Sequence, residues 1–184
     1  ECEETGADQL ITPSRDFSHW YDAGRWERYH SHVWTIEEGP CRLSDPWDGW
    51  YRGIGQCNLV LEDLSRLDTE KLSMTPEELE YFRLQLRALR AWFHLYLFDG
   101  YRNIIIYKSA VVDDAKSLTQ SSPKETFEWI EKECLECLDK LPAKTSTRGN
   151  AERQGQFNKA AVATMLVRLY LNAEKYIGVP RYQD

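Results

Sequence analysis

No apolar run in this sequence approaches the ~20 residues that span a bilayer, so no segment reads as a membrane helix. There is no block of lysines and arginines either, and the formal net charge is −7. Backbone recognition of nucleic acid needs concentrated positive charge, which excludes nucleic acid as a partner. A nucleophile elbow, a phosphate loop and a dinucleotide fingerprint are all missing. Adjacent acids such as Glu37/Glu38 and Asp113/Asp114 read as solvated loop rather than as an acid–base pair. Nothing here points to an enzyme or to a cofactor. The sequence opens on Glu1 with no signal peptide or lipid-attachment motif before it, and it stops at Asp184 just past a helical stretch. The expectation is a fragment of a larger protein with both original ends missing.

Five cysteines are present, with Cys134 and Cys137 spaced C-x₂-C. No second pair and no histidine pair follows, so a zinc framework lacks its other half. Phe127, Ile130, Cys134, Cys137 and Leu141 instead recur on one helical face, where thiols pack as small apolar groups. His30 and His32, two residues apart, share a face only on a strand, and no metal site is expected from them.

What the sequence has in quantity is helical periodicity in a chain of 184 residues, 42% of them hydrophobic. That is enough for one domain with a core. Thr75–Tyr107 reads as one long helix. Leu79, Phe82, Leu86, Leu89, Phe93 and Leu97 form one stripe, and Leu84, Ala88, Ala91, Leu95 and Phe98 form a second. A helix at a surface needs one apolar stripe, and a helix between two neighbours needs two. The expected neighbours are a helix carrying Trp47 and Trp50 and one running from Phe127 to Leu141. Arg83, Arg87, Arg90 and His94 line up between the stripes, where pairing with acids of neighbouring helices outweighs an anion site.

Helix starts repeat one grammar. Asp45-Pro46, Thr75-Pro76 and Ser122-Pro123 each offer a cap oxygen and then a proline with no N–H to lose. Each has an acid at the third helical position, facing the positive helix end. The first of these helices, about Pro46–Leu67, puts Trp47, Trp50, Ile54, Cys57, Leu61 and Leu64 on one face. Its Gly49, Gly53 and Gly55 weaken helix propensity and suggest close approach of a neighbour. A fourth helix runs from Asn158 to about Tyr176. Between the second and third lies a mostly extended connection, about Asp99–Ser121, with a β-like piece at Ile104–Ile106. Pro142–Gly155 reads as a polar, exposed loop. The fold class expected is all-α, a tetratricopeptide-like helical array (an α-α superhelix) with long irregular connections.

Residues 1–44 differ from the helical region 45–184, although the two are expected to form one domain. The first part lacks a sustained helical period beyond a short helix within Gly24–Trp34. It is dense in rings and charged groups: Phe17, Trp20, Tyr21, Trp26, Tyr29 and Trp34 beside Arg15, Asp16, Asp22, Arg25 and Glu27. Rings offer apolar faces with polar edges, and carboxylates and guanidiniums satisfy hydroxyls directionally. That mixture suits a sugar. Packing of the rings onto the helices is the plainer alternative.

Four blocks in order carry a family resemblance: Thr12–Arg15 with Asp16–Trp26 and His30–Thr35; Trp47–Ile54 with Cys57-Asn58; Leu86–Leu95 closing at Asp99-Gly100-Tyr101; and Asn158–Ala161 leading to Arg168–Asn172. Over roughly residues 8–178 the chain resembles the N-terminal part of the SusD/RagB family of Bacteroidetes surface glycan-binding lipoproteins. The resemblance implies a tetratricopeptide-like, non-catalytic protein at the outer-membrane surface. It would capture oligosaccharides or polysaccharides and pass them to a SusC-like, TonB-dependent transporter. It implies a glycan site that includes Arg15, Trp20, Tyr21, Asp22 and Trp26. The alternative is a helical-repeat scaffold for protein interaction with no glycan site of its own. The family's lipid-bearing cysteine is absent, so membrane attachment would come only through an anchor outside this sequence. Asp99–Asn103 also departs from the glycine–proline turn usual after the long helix.

Overall fold

The computed structural model describes residues 7, 14–15, 19–20, 25–33, 44–68, 73–111, 117–143 and 155–183. Within them lie two short strands, β1 (Ser14–Arg15) and β2 (His19–Trp20). Six helices follow: α1 (Arg25–His30), α2 (Ser44–Ser65), α3 (Pro76–Tyr101), α4 (Pro123–Lys140), α5 (Lys159–Leu171) and α6 (Ala173–Ile177). The chain divides into two compact units, Glu1–Gly49 and Trp50–Asp184. The architecture is the expected all-α, tetratricopeptide-like array, and no described helix is long and apolar enough to cross a membrane.

The caps of α3 and α4 form as the sequence dictates. Thr75 Oγ1 accepts Glu78 N–H at 3.1 Å while Glu78 Oε2 accepts Thr75 N–H at 2.8 Å. Ser122 and Glu125 repeat this reciprocal box at 3.2 and 2.8 Å. Each pair satisfies two backbone donors that a helix start otherwise orphans. Asn158 Oδ1 caps α5 by accepting Ala161 N–H at 2.9 Å. At the first helix the expected boundary was off by a residue or two: α2 begins at Ser44, so Asp45 lies inside its first turn rather than capping it.

Two expected helices end early. The helix read as Thr75–Tyr107 stops at Tyr101 because Arg102 adopts φ 60° and ψ −57°, and Asn103 N–H closes onto Tyr101 O at 2.6 Å. That geometry is a γ-turn with positive φ, rare for a residue with a Cβ. The helix read as running to Tyr176 breaks at Asn172 (φ −98°, ψ 3°), whose side chain donates to Arg168 O at 2.9 Å. Side-chain amides that bond nearby backbone compete with helical continuation.

In the second unit α3 packs against α4 and α5, and α4 against α5 and α6. Leu84, Ala88, Ala91, Leu95 and Phe98 of α3 are buried, and Phe127, Ile130, Cys134 and Cys137 of α4 with Leu141 form the facing core. Burial pushes the Cys134 and Cys137 thiols up to about 12 and about 11, so they act as small apolar groups. The other stripe of α3 is less covered than expected: Leu79 and Leu97 are buried but Phe82 is 46% exposed. On that side α2 approaches through Trp50, whose ring lies 5.4 Å from Trp92, 5.8 Å from Phe93 and 5.3 Å from Tyr96. Gly53 alone of the three α2 glycines allows a close approach, since a Cβ there would sit 2.6 Å from the Phe93 ring. Gly49 and Gly55 face open space. Both expected neighbours of α3 are therefore present.

The connection after α3 is neither helix nor strand over Ile104–Ser109. It runs along α2 as a strap fixed by side-chain-to-backbone bonds. Tyr51 Oη accepts Ile105 N–H at 2.7 Å and donates to Ile105 O at 3.1 Å. Asn58 Nδ2 donates to Tyr107 O and Ser109 O, both at 3.1 Å. Glu62 Oε1 accepts Ala110 N–H at 2.7 Å. Tyr51, Asn58 and Glu62 share one face of α2 at helical spacing, so that face holds the segment at Ile105, Tyr107, Ser109 and Ala110.

Candidate functional site

The candidate glycan residues fall in the first unit. Backbone pairing joins β1 to β2 antiparallel, with Ser14 opposite Trp20 and Arg15 opposite His19. Arg15 and Trp20 thus lie in one two-residue ladder, but not opposite one another. Helix α1, which carries Trp26, lies against β2. Tyr21 and Asp22 lie outside the described residues. Trp26 is half-buried, and its ring centroid is 6.0 Å from that of Tyr29, tilted by 38°. Tyr29 is 4% exposed. It was not among the candidates, although its i,i+3 spacing from Trp26 on α1 would have found it. An indole beside a second ring offers an apolar face with a polar edge.

The arginine stripe of α3 is structural. Arg87 Nη2 lies 2.9 Å from Glu133 Oε1 and 2.5 Å from Glu136 Oε2. Arg90 Nη2 lies 3.1 Å from Glu133 Oε2, and its Nη1 donates to Asn58 Oδ1 at 2.9 Å. Burial alone would raise the Glu133 carboxyl, but the Arg87 and Arg90 guanidiniums hold it below its ordinary value. The hydrogen bond to Glu133 raises Arg87 in turn. This network ties α2, α3 and α4 together with its charges compensated.

Two members of the stripe depart from acid pairing. Arg83 donates to Leu64 O at 3.0 Å. His94 is fully buried, with Nδ1 2.8 Å from Arg90 O and Nε2 accepting Tyr107 N–H at 3.2 Å. Those partners require a neutral ring protonated at Nδ1, and burial pushes its pKa down to about 4. His94 thus holds the strap rather than an anion.

His30 ends α1 and His32 follows it. Among the described residues no group of three histidines, cysteines or acids gathers as metal ligands. Glu133 is the only buried carboxylate among them.

Over residues 6–171 the chain matches a family profile described as "Starch-binding associating with outer membrane". It is similar in structure to a laminarin-binding SusD-like protein at 21% identity and TM-score 0.68, covering 84% of this chain and 31% of that one. It is similar also to surface glycan-binding protein A from Bacteroides uniformis at 17% identity and TM-score 0.70, covering 90% and 34%. A SusD-like protein from Bacteroides fragilis is similar at 18% identity and TM-score 0.69, covering 95% and 34%. The chain spans about a third of the length of these structures. No curated protein matches it.

Proposed function

The chain belongs to the SusD-like family, and on that footing we propose that it is a non-catalytic subunit that binds oligosaccharides at the outer-membrane surface and delivers them to a SusC-like, TonB-dependent transporter. The observation carrying most weight is that the match to the family profile, residues 6–171, takes in the whole aromatic segment. The glycan would lie on Trp26, with Arg15, Trp20, Tyr21 and Asp22 completing the site. Stacking supplies area, and the arginine and aspartate read hydroxyls. The profile's words "associating with outer membrane" support the location.

Calorimetric titration with maltoheptaose and laminarihexaose tests the proposal, since the family description names starch and a similar structure is a laminarin binder. One of the two, or a relative from a wider glycan panel, should bind. Trp26→Ala should then weaken binding roughly ten- to a hundredfold, the worth of one buried aromatic side chain. Binding by no glycan would leave only a protein-interaction scaffold. That alternative draws on Val167 and Leu171 of α5, which are 54% and 61% exposed. Co-purification with a transporter in the absence of sugar would favour it.

A further inference from the structure

The strap along α2 has two edges, and among the described residues the outer one is engaged only at its start, by Ile104. Backbone groups of alternate residues in an extended segment point to opposite sides. Those of Ile105, Tyr107 and Ser109 are bonded to Tyr51, His94 and Asn58. Ile104 points the other way, where its O accepts Ser121 N–H at 2.8 Å. Ile106 and Lys108 share that outer side and form no backbone hydrogen bond among the described residues. From there the strap and the 117–121 segment bound a groove of about 520 Å³, which Trp129 and Glu128 of α4 also line.

Its chemistry is mixed. The Trp129 indole is held from one side by the His94 ring, with centroids 4.4 Å apart, and by the Arg90 guanidinium at 5.6 Å. Glu128 is exposed, and its ionic partner among the described residues is a distant i,i+4 one, Lys124 at 3.8 Å. Thr119 adds a hydroxyl and Lys108 an ammonium. Carboxylates in the lining oppose a phosphate, and the polar rim opposes a lipid chain. A braced aromatic face beside an acceptor, a cation and an open backbone edge matches a sugar ring, which offers C–H groups on one face and hydroxyls around its edge. The backbone edge is pre-organised, because the opposite edge is clamped.

We propose that this groove is a second carbohydrate subsite, taking a neutral oligosaccharide with one ring on Trp129 and its hydroxyls on Glu128, Lys108 and the Ile106 backbone. The ligand class rests on the glycan-binding function proposed above, whereas the place and its lining do not.

Fluorine NMR on 5-fluorotryptophan-labelled protein, titrated with maltoheptaose and with laminarihexaose, tests it. Each of the seven tryptophans is assigned by substitution with phenylalanine. The Trp129 resonance should move with one of the sugars, and should still move in Trp26→Ala. Glu128→Gln, at an exposed position that leaves the core intact, should weaken the Trp129 response about tenfold, the worth of a charged hydrogen bond. It should leave the Trp26 response unchanged. Movement of Trp26 without Trp129 overturns the second subsite and leaves the first standing; silence from both overturns the two together. A Trp129 shift elicited by a lysine-rich heptapeptide but by neither sugar overturns it in favour of strand addition along the Ile106–Lys108 edge.

Discussion

At the scale of single residues, Arg102 shows how a long helix is ended against its own pattern. The apolar period runs on into Ile104–Ile106, yet a positive φ at Arg102 turns the chain out of α3 and into the strap. A γ-turn of this sense costs a residue with a Cβ about 1–3 kcal/mol, most of which glycine avoids. Arg102→Gly should therefore raise stability by about 1 kcal/mol, or about 2–4 °C in Tm for a chain of this size. A thermal melt followed by circular dichroism measures it, and an unchanged or lower Tm would count against strain at this turn. The sequence does not display such a turn, since arginine is no signal for positive φ. Trp26 and Tyr29 are the reverse case: their i,i+3 spacing is visible in the sequence and the ring contact follows from it. Arg15 and Trp20 were legible as residue types suited to sugar, but the ladder that holds them, with His19 opposite Arg15 and Ser14 opposite Trp20, depends on a register that periodicity does not give.

Among elements, what was legible is what is local. Thr75-Pro76 and Ser122-Pro123 mark their helices because a capping box closes within four residues. The apolar face of α4 was legible for the same reason, one period repeated without interruption. The strap was not, because its bonds join residues about fifty positions apart and use side chains that read as ordinary helix surface. The α2 glycines also look alike in sequence and differ in the fold. Gly55 faces open space, so Gly55→Ala should gain the usual helix-propensity difference, about 0.5–1 kcal/mol. Gly53→Ala would drive a methyl into the Phe93 ring, which is wedged beside Trp50 and Trp92, and should cost about 1–3 kcal/mol of overpacking. Urea denaturation of the two variants compares them directly, and equal gains from both would refute the close approach.

For the whole molecule, the second unit is a stack whose layers are joined by apolar faces and by one buried polar seam. The faces were legible as two stripes on α3. The seam was legible as a row of arginines but not in its partners, since Glu133 answers two of them and His94 answers a backbone amide. The groove at Trp129 was invisible in sequence because three separate segments build it. The seam also sets how the molecule responds to acid. His94 is held neutral in a site faced by Arg90, Glu133 and Lys108, and its pKa falls from 6.5 to about 4 on folding, chiefly through burial. Between those values the unfolded chain binds a proton that the folded one refuses, so stability falls as pH falls. The contribution is complete above about pH 6.5 and is lost by about pH 4, in all about 3 kcal/mol. Glu133, lowered from 4.5, acts in the same sense at the acid end of that window, its stabilisation disappearing as the carboxyl protonates. By pH 5 about 2 kcal/mol of the His94 contribution should be gone, a drop in Tm of about 4–8 °C from pH 7. His94→Gln can keep a donor for Arg90 O and an acceptor for Tyr107 N–H but cannot titrate. It should be less stable at pH 7 and should lose most of the slope between pH 6.5 and 5. A slope in that variant as steep as in the parent would place the acid sensitivity elsewhere than at the strap.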